Sequence, residues 1–248
     1  MQGEPPALSL RNITKTFGSG PNAIRPLRGV DLCVEPGRLV MLAGPSGSGK
    51  TTLLSVVSGM LNPTSGDVEI FGRSWDDWRR ESPHYRAMVG MVFQKFYLIP
   101  TIDVLDNVAV TLLVRGIPRR EATRRAALAL EAVGLADRQR AMPHQLSGGM
   151  QQRVAVARAI VGEPRLLICD EPTANLDSES GQAVMRLILA ASRGTGPDRR
   201  PRSVVVVTHD MRVLRYADVI YHLEDGKVRH AGADMLSRVW QAGLTQDH

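Results

Sequence analysis

A glycine-rich stretch in front of a single lysine is the first feature that could do chemistry. It reads GPSGSGKTT, and the part from Gly44 to Thr51 fits the pattern G-x-x-x-x-G-K-[ST]. Glycines let successive backbone N–H groups turn inward around a phosphate, and the N-terminus of a following helix favours negative charge. We therefore predict a phosphate-binding loop made of Gly44, Pro45, Ser46, Gly47, Ser48, Gly49, Lys50, Thr51 and Thr52.

The side chains at the end of this loop suit a nucleoside triphosphate with its magnesium ion. Lys50 would bridge the β- and γ-phosphates, Thr51 would offer its hydroxyl to Mg²⁺, and Thr52 would lie near the α-phosphate. A flexible linker is the alternative interpretation. It is disfavoured because the apolar run LVMLA precedes the loop and an amphipathic segment, Lys50 to Met60, follows it. Together these predict strand, loop and helix.

Two further apolar runs end in side chains that can handle a phosphate. In LLICDEP, Asp170 would hold Mg²⁺ through its water shell and Glu171 would polarise the attacking water. In VVVVTHD, His209 would donate to the γ-phosphate and orient the water or Glu171. Ligands meet the carboxyl ends of parallel strands, which is where these residues would lie. The alternatives are an acidic pair that begins a loop and a structural histidine.

The segment LSGGMQQR predicts a second anion site. Ser147 can cap a helix, and Gly148 and Gly149 would expose backbone amides at its N-terminus. This site has no lysine and no magnesium ligand, so it is incomplete alone. We expect it to cover a γ-phosphate that another copy of the protein holds.

The elements that must position these residues indicate an α/β fold. Leu166 to Cys169 and Val204 to Val207 are continuous apolar runs, typical of strands buried between helices. We predict helices from Arg119 to Val133 and from Ser147 to Val161. The interpretation is a single domain over residues 1–248, with an α/β core (1–93 and 162–248) and a helical subdomain (94–161). The basic segment Arg193 to Ser203 is predicted to be a solvated loop, with contact to anionic lipid as the alternative.

Composition narrows the partners and the compartment. The 248 residues carry a net charge of +6, which suits nucleic acid, anionic membranes or polyphosphates alike. Aromatic residues make up only 4%, which disfavours a base-stacking surface, and no nucleic-acid partner is expected. No apolar run approaches bilayer length and the start has no signal-like pattern. Cys33 and Cys169 are expected to be buried thiols, so a cytoplasmic protein is predicted.

The ordered motifs GPSGSGKT, VFQ, LSGGMQQR, LLICDEP, NLD and THD resemble the nucleotide-binding subunits of ATP-binding-cassette (ABC) transporters, from about Leu8 to Gly232. The resemblance implies a P-loop ABC cassette: a mostly parallel sheet core, an antiparallel N-terminal β region and the helical insertion. It also implies a head-to-tail dimer around two ATP with Mg²⁺. The site would combine Lys50, Thr51, Gln94, Asp170, Glu171 and His209 of one subunit with Ser147, Gly148 and Gly149 of the other.

The same resemblance assigns three more roles. Phe17 would stack on adenine, although a phenylalanine near a strand can also be core. Gln94 would contact Mg²⁺ and couple its binding to the helical subdomain. Asp177 would link the two ATP sites of the dimer. Met150 departs from the family, which most often has glutamine there, and no loss of activity is expected.

The kind of cassette is indicated by the run VFQKFYLIPTIDVLDNV, which is similar to cassettes of the macrolide-export and lipoprotein-release type. A separate membrane permease would dock near Gln94 and the helical subdomain, on the cytoplasmic face of the membrane. The alternatives are an importer cassette, which PHQ before LSGGMQQR also resembles, and a soluble ABC ATPase outside transport. A nonhydrolytic scaffold is disfavoured because Glu171 and His209 are both present.

Overall fold

The computed structural model describes residues 4–81, 87–195 and 200–231, and the chain divides into two compact units. The first unit comprises residues 1–80 and 205–248, and the second comprises residues 81–204. The division into a core and a 94–161 subdomain stays a prediction. The predicted α/β class is confirmed, since strands and helices occur in both units.

The first unit contains an antiparallel sheet in which the strands lie in the order β2 (Ile24–Val34), β1 (Leu8–Phe17), β4 (Ser65–Ile70) and β5 (Arg73–Ser74). Leu8 pairs with Val34 and Phe17 with Ile24 across β1 and β2. Leu8 and Leu10 on β1 are buried, as expected when one face of an antiparallel sheet packs on a core. Ile13 is also buried, and the pairing of β1 with β2 has a register shift between Leu10 and Ile13. The predicted antiparallel N-terminal region is therefore confirmed. Helix α2 (Trp75–Arg80) follows β5.

A second sheet of the first unit carries the phosphate loop. Its strand order is β10-β9-β3-β8, in which β3 (Leu39–Ala43) and β9 (Val219–Glu224) are parallel. Every residue of β3 is buried, as its continuous apolar run predicts. The helix after the loop, α1 (Lys50–Val57), ends before Met60 because Gly59 has a φ of 77°. The remaining strands are β8 (Ser203–Thr208), which begins in the second unit, and β10 (Lys227–His230).

The described part of the second unit includes a parallel strand pair and four α-helices of ten or more residues. Strands β6 (Val89–Val92) and β7 (Leu166–Asp170) run parallel, with Val89 opposite Leu166. Helix α4 (Arg119–Ala132) buries Ala122, Ala126 and Leu130, which recur every four residues along one face. These side chains belong to a core shared by the first three helices of the unit. The helices are α3 (Val104–Leu113), α4 (Arg119–Ala132), α5 (Gly148–Ile160) and α6 (Ser178–Arg193).

The two cysteines differ in burial, so one expectation is wrong. Cys169 is fully buried on β7, where burial raises the pKa of its thiol. Cys33 is exposed, because Leu32 and Val34 take the buried positions of β2 and the side chains of a strand alternate. Among the described residues, no helix combines the length and apolarity needed to span a bilayer.

The basic segment from Arg193 to Ser203 begins at the end of α6. Gly194, with a φ of 66°, terminates that helix. Residues 196–199 of the predicted loop lie outside the described residues. At the far end, the guanidinium of Arg202 is buried and donates to the carbonyl oxygen of Arg200 at 3.2 Å.

Candidate functional site

The lysine of the phosphate loop is held in place by the loop itself. Lys50 is only 7% exposed, although it begins helix α1. Its Nζ donates to the carbonyl oxygens of Gly44 and Pro45, both at 2.8 Å. A buried ammonium needs such polar partners. The charge is therefore fixed over the start of the loop, where an anionic group could share it.

Three glycines of the loop are required for different physical reasons. A Cβ at Gly44 would lie 2.2 Å from the carbonyl oxygen of Leu223, and one at Gly49 would lie 2.4 Å from that of Pro26. Gly49 also has a φ of 104°. At Gly47 the φ is 80°, but a Cβ would meet nothing within 4 Å. The loop is thus closely backed by backbone at both ends and open in the middle.

The loop contains a buried hydroxyl that could donate a hydrogen bond to a polyphosphate. The Oγ of Ser48 is buried and has no hydrogen-bond partner among the described residues, which is uncommon for a buried polar atom. A cavity of about 450 Å³ adjoins the loop. It is lined by Ala23, Ile24, Arg25, Pro26, Arg28, Pro45, Ser46, Gly47, Ser48, Glu224, Asp225 and Gly226. Thr51 is exposed at the start of α1, and Thr52 is half-buried.

Two more predicted residues belong to the first unit. Phe17 is 44% exposed at the end of β1, which argues against a core role, and Lys15 Nζ lies 5.2 Å from its ring centroid. His209 is exposed directly after β8. The neighbouring Asp210 accepts bonds from Nε, Nη2 and the backbone N of Arg212. Burial acts to raise the pKa of Asp210, but the bonds from Arg212 outweigh it and the pKa is lowered.

The acidic pair lies at the end of β7 in the second unit. Asp170 is the last residue of the strand and is half-buried. Glu171 is 9% exposed and has a φ of 47°. A left-handed conformation is costly for a residue with a Cβ and persists where the surroundings impose it. The backbone at Glu171 is thus held in a bend directly after the end of β7.

The second predicted anion site has the expected cap. Ser147 Oγ accepts a bond from the backbone N of Met150 at 3.3 Å, so Ser147 begins α5 as predicted. Gly148 has room for a side chain, since the nearest atoms lie 3.7 Å from a built Cβ. At Gly149 a Cβ would lie 2.6 Å from Ser180 Oγ. Met150 packs against the helical core, which gives this departure from the family a structural role.

Asp177 caps the neighbouring helix, α6. Its Oδ1 accepts a bond from the backbone N of Ser180 at 2.9 Å. This bond, first among several, lowers the pKa of Asp177. The residue that Asp177 caps, Ser180, is the one that lies against Gly149. Asp177 and the second anion site are therefore adjacent in the second unit.

Gln94 follows β6, and its surroundings contain residues that the sequence did not single out. Gln94 is exposed, and its carbonyl oxygen accepts a bond from Asn175 Nδ2 at 3.2 Å. Gln152 Nε2 donates to the carbonyl oxygens of Phe93 at 3.3 Å and Pro172 at 2.9 Å. The sequence motifs did not identify Gln152 and Asn175, nor Asn107 and Arg158, as residues of this region. Only Asn107 left a signal, as a polar residue inside the apolar run of α3.

Comparisons with known proteins agree with this geometry. The family model described as "ABC transporter" matches residues 27–174. The methionine import ATP-binding protein MetN 2 of Rhodococcus jostii is 42% identical over 233 residues, which are 92% of this chain and 66% of that protein. The lipoprotein-releasing system ATP-binding protein LolD 1 of Rhodospirillum rubrum is 40% identical over 224 residues, covering 90% of this chain and 97% of that one.

A solved structure shows the same similarity in three dimensions. It is a dimeric ATP-binding cassette in a post-hydrolysis state with ADP and Pi bound. The TM-score is 0.80 with 37% sequence identity, over 90% of this chain and 97% of the solved chain. The chain therefore belongs to the ABC transporter family as an ATP-binding subunit, and its domain is an ABC-type ATPase.

Proposed function

We propose that the chain hydrolyses ATP as a head-to-tail homodimer with Mg²⁺ bound, and so drives a separate membrane subunit in export or in macrolide- or lipoprotein-type release. The observation that carries the proposal is the phosphate loop, with its buried Lys50 and the unsatisfied hydroxyl of Ser48. The second anion site, proposed at the helix that Ser147 caps, has neither a lysine nor a magnesium ligand in its motif LSGGMQQR. A second copy would complete each site.

The residues then divide by role. Lys50 neutralises the β- and γ-phosphates, the loop amides cradle them, and Phe17 stacks on the base. Glu171 takes a proton from the attacking water, and His209 orients that water against the γ-phosphate. Ser147 to Gly149 of the partner copy would cover the γ-phosphate from the opposite side. Bound Mg²⁺ would neutralise phosphate charge, and the residues proposed to hold it are Thr51, Gln94 and Asp170.

The release type is supported by the match to LolD 1 over 97% of that protein. The importer remains the second candidate, favoured by the 42% identity to MetN 2. Both candidates require a separate membrane subunit, for which we propose docking near Gln94 and the helices of residues 94–161. The cassette would then lie on the cytoplasmic face of the membrane.

The ATPase role is tested with Glu171→Gln. We expect this variant to bind ATP, to form a dimer only when ATP is present, and to hydrolyse ATP about 10²- to 10⁴-fold more slowly, as when a general base is removed. Glu179→Gln is the matched control, because Glu179 is an exposed glutamate in the first turn of α6. Normal hydrolysis by Glu171→Gln would contradict the assignment of the base.

The transport role is tested by trapping Glu171→Gln with ATP in its native membranes and cross-linking it there. A membrane protein with few spans and a large extracytoplasmic domain would support export or release. A permease with many spans, or one accompanied by a solute-binding protein, would support the importer. A closed dimer with no membrane protein attached would contradict transport itself.

A further inference from the structure

The segment between β6 and α3, residues 93–103, is held at its backbone by side chains of other elements. Asn107 of α3 is fully buried, and its Oδ1 accepts the bond from Ile99 N at 2.7 Å. The Nδ2 of Asn107 donates to the carbonyl oxygens of Ile99, Ile102 and Asp103. Because the oxygen and the nitrogen of the Asn107 amide both bond to this segment, the backbone at Ile99 is anchored to α3.

Arg158 of α5 holds the same segment from a second side. Its Nη1 donates to the carbonyl oxygen of Tyr97 at 2.6 Å and its Nη2 to that of Phe96 at 2.7 Å. Burial lowers the pKa of Arg158, but an arginine keeps its charge in proteins. Hydrogen bonds from a charged donor are stronger than neutral ones. The guanidinium is therefore a strong clamp on two consecutive carbonyls.

The clamped backbone is strained. Tyr97 has a φ of 46°, a conformation that is rare for a bulky residue. Its ring packs edge-on against Phe93, with centroids 5.3 Å apart, yet Tyr97 is 64% exposed. Little burial thus compensates for the strain. The bond from Arg158 to the carbonyl of Tyr97 is the contact that can hold this conformation.

The clamp is built on the helix that begins at the second anion site. A Cβ built on Gly148 would lie 3.7 Å from Cζ of Phe96, so the ring of Phe96 adjoins the start of α5. The carbonyl of the same residue is held by Arg158, ten residues further along the helix and about 15 Å away. A movement of α5 would therefore act on this segment at two points.

We propose that Arg158 is a positioning residue that transmits closure at Ser147 to Gly149 to the segment Phe96 to Ile99, in which Tyr97 and Ile99 are exposed. The inference rests on the proposed function, because it needs ATP-dependent closure of a dimer at the second anion site. Arg158 is not among the residues that we propose to bind ATP. Its role is to make the conformation of residues 93–103 depend on the position of α5.

The test follows hydrogen exchange of residues 96–103 in the Glu171→Gln chain, with and without ATP. We expect ATP to slow exchange at Ile99. In the double variant Glu171→Gln, Arg158→Gln, we expect the dimer still to form. Exchange at Ile99 should be about tenfold faster, because roughly one charged hydrogen bond is lost. The response of this exchange to ATP should disappear. Arg158→Lys can reach one carbonyl at a time, so it should restore part of the response.

Arg153→Gln is the matched control. Arg153 also lies on α5 and donates to a backbone carbonyl, but to that of Val133, outside the segment. It should leave the response at Ile99 intact. If Arg158→Gln does not fold, Arg158→Lys carries the test, and a full response in that variant would overturn the proposal.

Different outcomes contradict the role of Arg158 and the proposed function. A full ATP response at Ile99 in a folded Arg158→Gln dimer would overturn the role of Arg158 alone. The same holds for a parent dimer whose exchange at Ile99 does not change with ATP. If Glu171→Gln forms no ATP-dependent dimer, the proposed function itself fails.

Discussion

Replacing three glycines of the phosphate loop by alanine, one at a time, separates backbone strain from steric overlap. Gly47 has a φ of 80° and open space, so Gly47→Ala introduces strain alone. Gly44 has no positive φ, but its Cβ would lie 2.2 Å from a carbonyl oxygen, so Gly44→Ala introduces overlap alone. Gly49→Ala introduces both, with a φ of 104° and an oxygen at 2.4 Å.

The free energy of unfolding should fall in a fixed order. A left-handed conformation costs an alanine about 1–2 kcal/mol, while alanine loses about 0.4–1 kcal/mol less conformational entropy than glycine on folding. Gly47→Ala should therefore cost about 1 kcal/mol or less. Overpacking against a backbone that must shift costs about 1–3 kcal/mol, so Gly44→Ala should cost about 2 kcal/mol. Gly49→Ala combines the two effects and should cost about 3 kcal/mol.

The assay is urea unfolding of the nucleotide-free chain, followed by circular dichroism, with the free energy taken from the linear extrapolation. Unchanged m-values would show that the three variants unfold from comparable states. Gly44→Ala as stable as the parent, or Gly47→Ala less stable than Gly49→Ala, would refute the assignment of overlap to the two ends of the loop.

Two other substitutions test the loop cation and the acid response. Lys50→Ala should weaken ATP affinity about 10- to 100-fold, the loss expected for a charged hydrogen bond. Titration with a fluorescent ATP analogue measures this affinity. Undiminished affinity would count against a phosphate-binding lysine. Because the pKa of folded Asp210 is lowered, its carboxylate stabilises the fold above about pH 4 and this stability is lost as the pH falls through the folded pKa. Asp210→Asn should therefore be about 1 kcal/mol less stable at neutral pH, a small effect because Arg212 is largely exposed. The difference in melting temperature between this variant and the parent should vanish in acid. A constant difference at all pH values would contradict this.

The strands and helices that carry the site could be predicted closely because their patterns are local. The run LVMLA is strand β3, and the predicted strands at Leu166 and Val204 differ from β7 and β8 by at most one residue at either end. The helix predicted from Ser147 begins at Gly148 with Ser147 as its cap. In each case continuous hydrophobicity or a capping residue specifies the element within its own sequence.

The contacts that hold the segment of residues 93–103 could not be predicted in the same way. Arg158 binds carbonyls at Phe96 and Tyr97, about sixty positions earlier, and any residue type offers a carbonyl. No spacing in the sequence reports such a bond. The strain at Tyr97 and Glu171 was equally hidden, because a positive φ at a residue with a Cβ is imposed by its surroundings. The burial of Cys33 was predicted wrongly because the apolar residues beside it, and not Cys33, take the inward positions of β2.

The two glycines of LSGGMQQR show why a motif cannot be interpreted residue by residue without the fold. The sequence suggests one role for both, the exposure of backbone amides. In the structure Gly148 has space around it, whereas Gly149 lies against Ser180 at the start of α6. Gly149 is therefore required by the close approach of two helices, and its substitution would disturb the fold before it reported on any ligand. Gly148 is the position at which a change can be attributed to the anion site, because no packing contact has to move first.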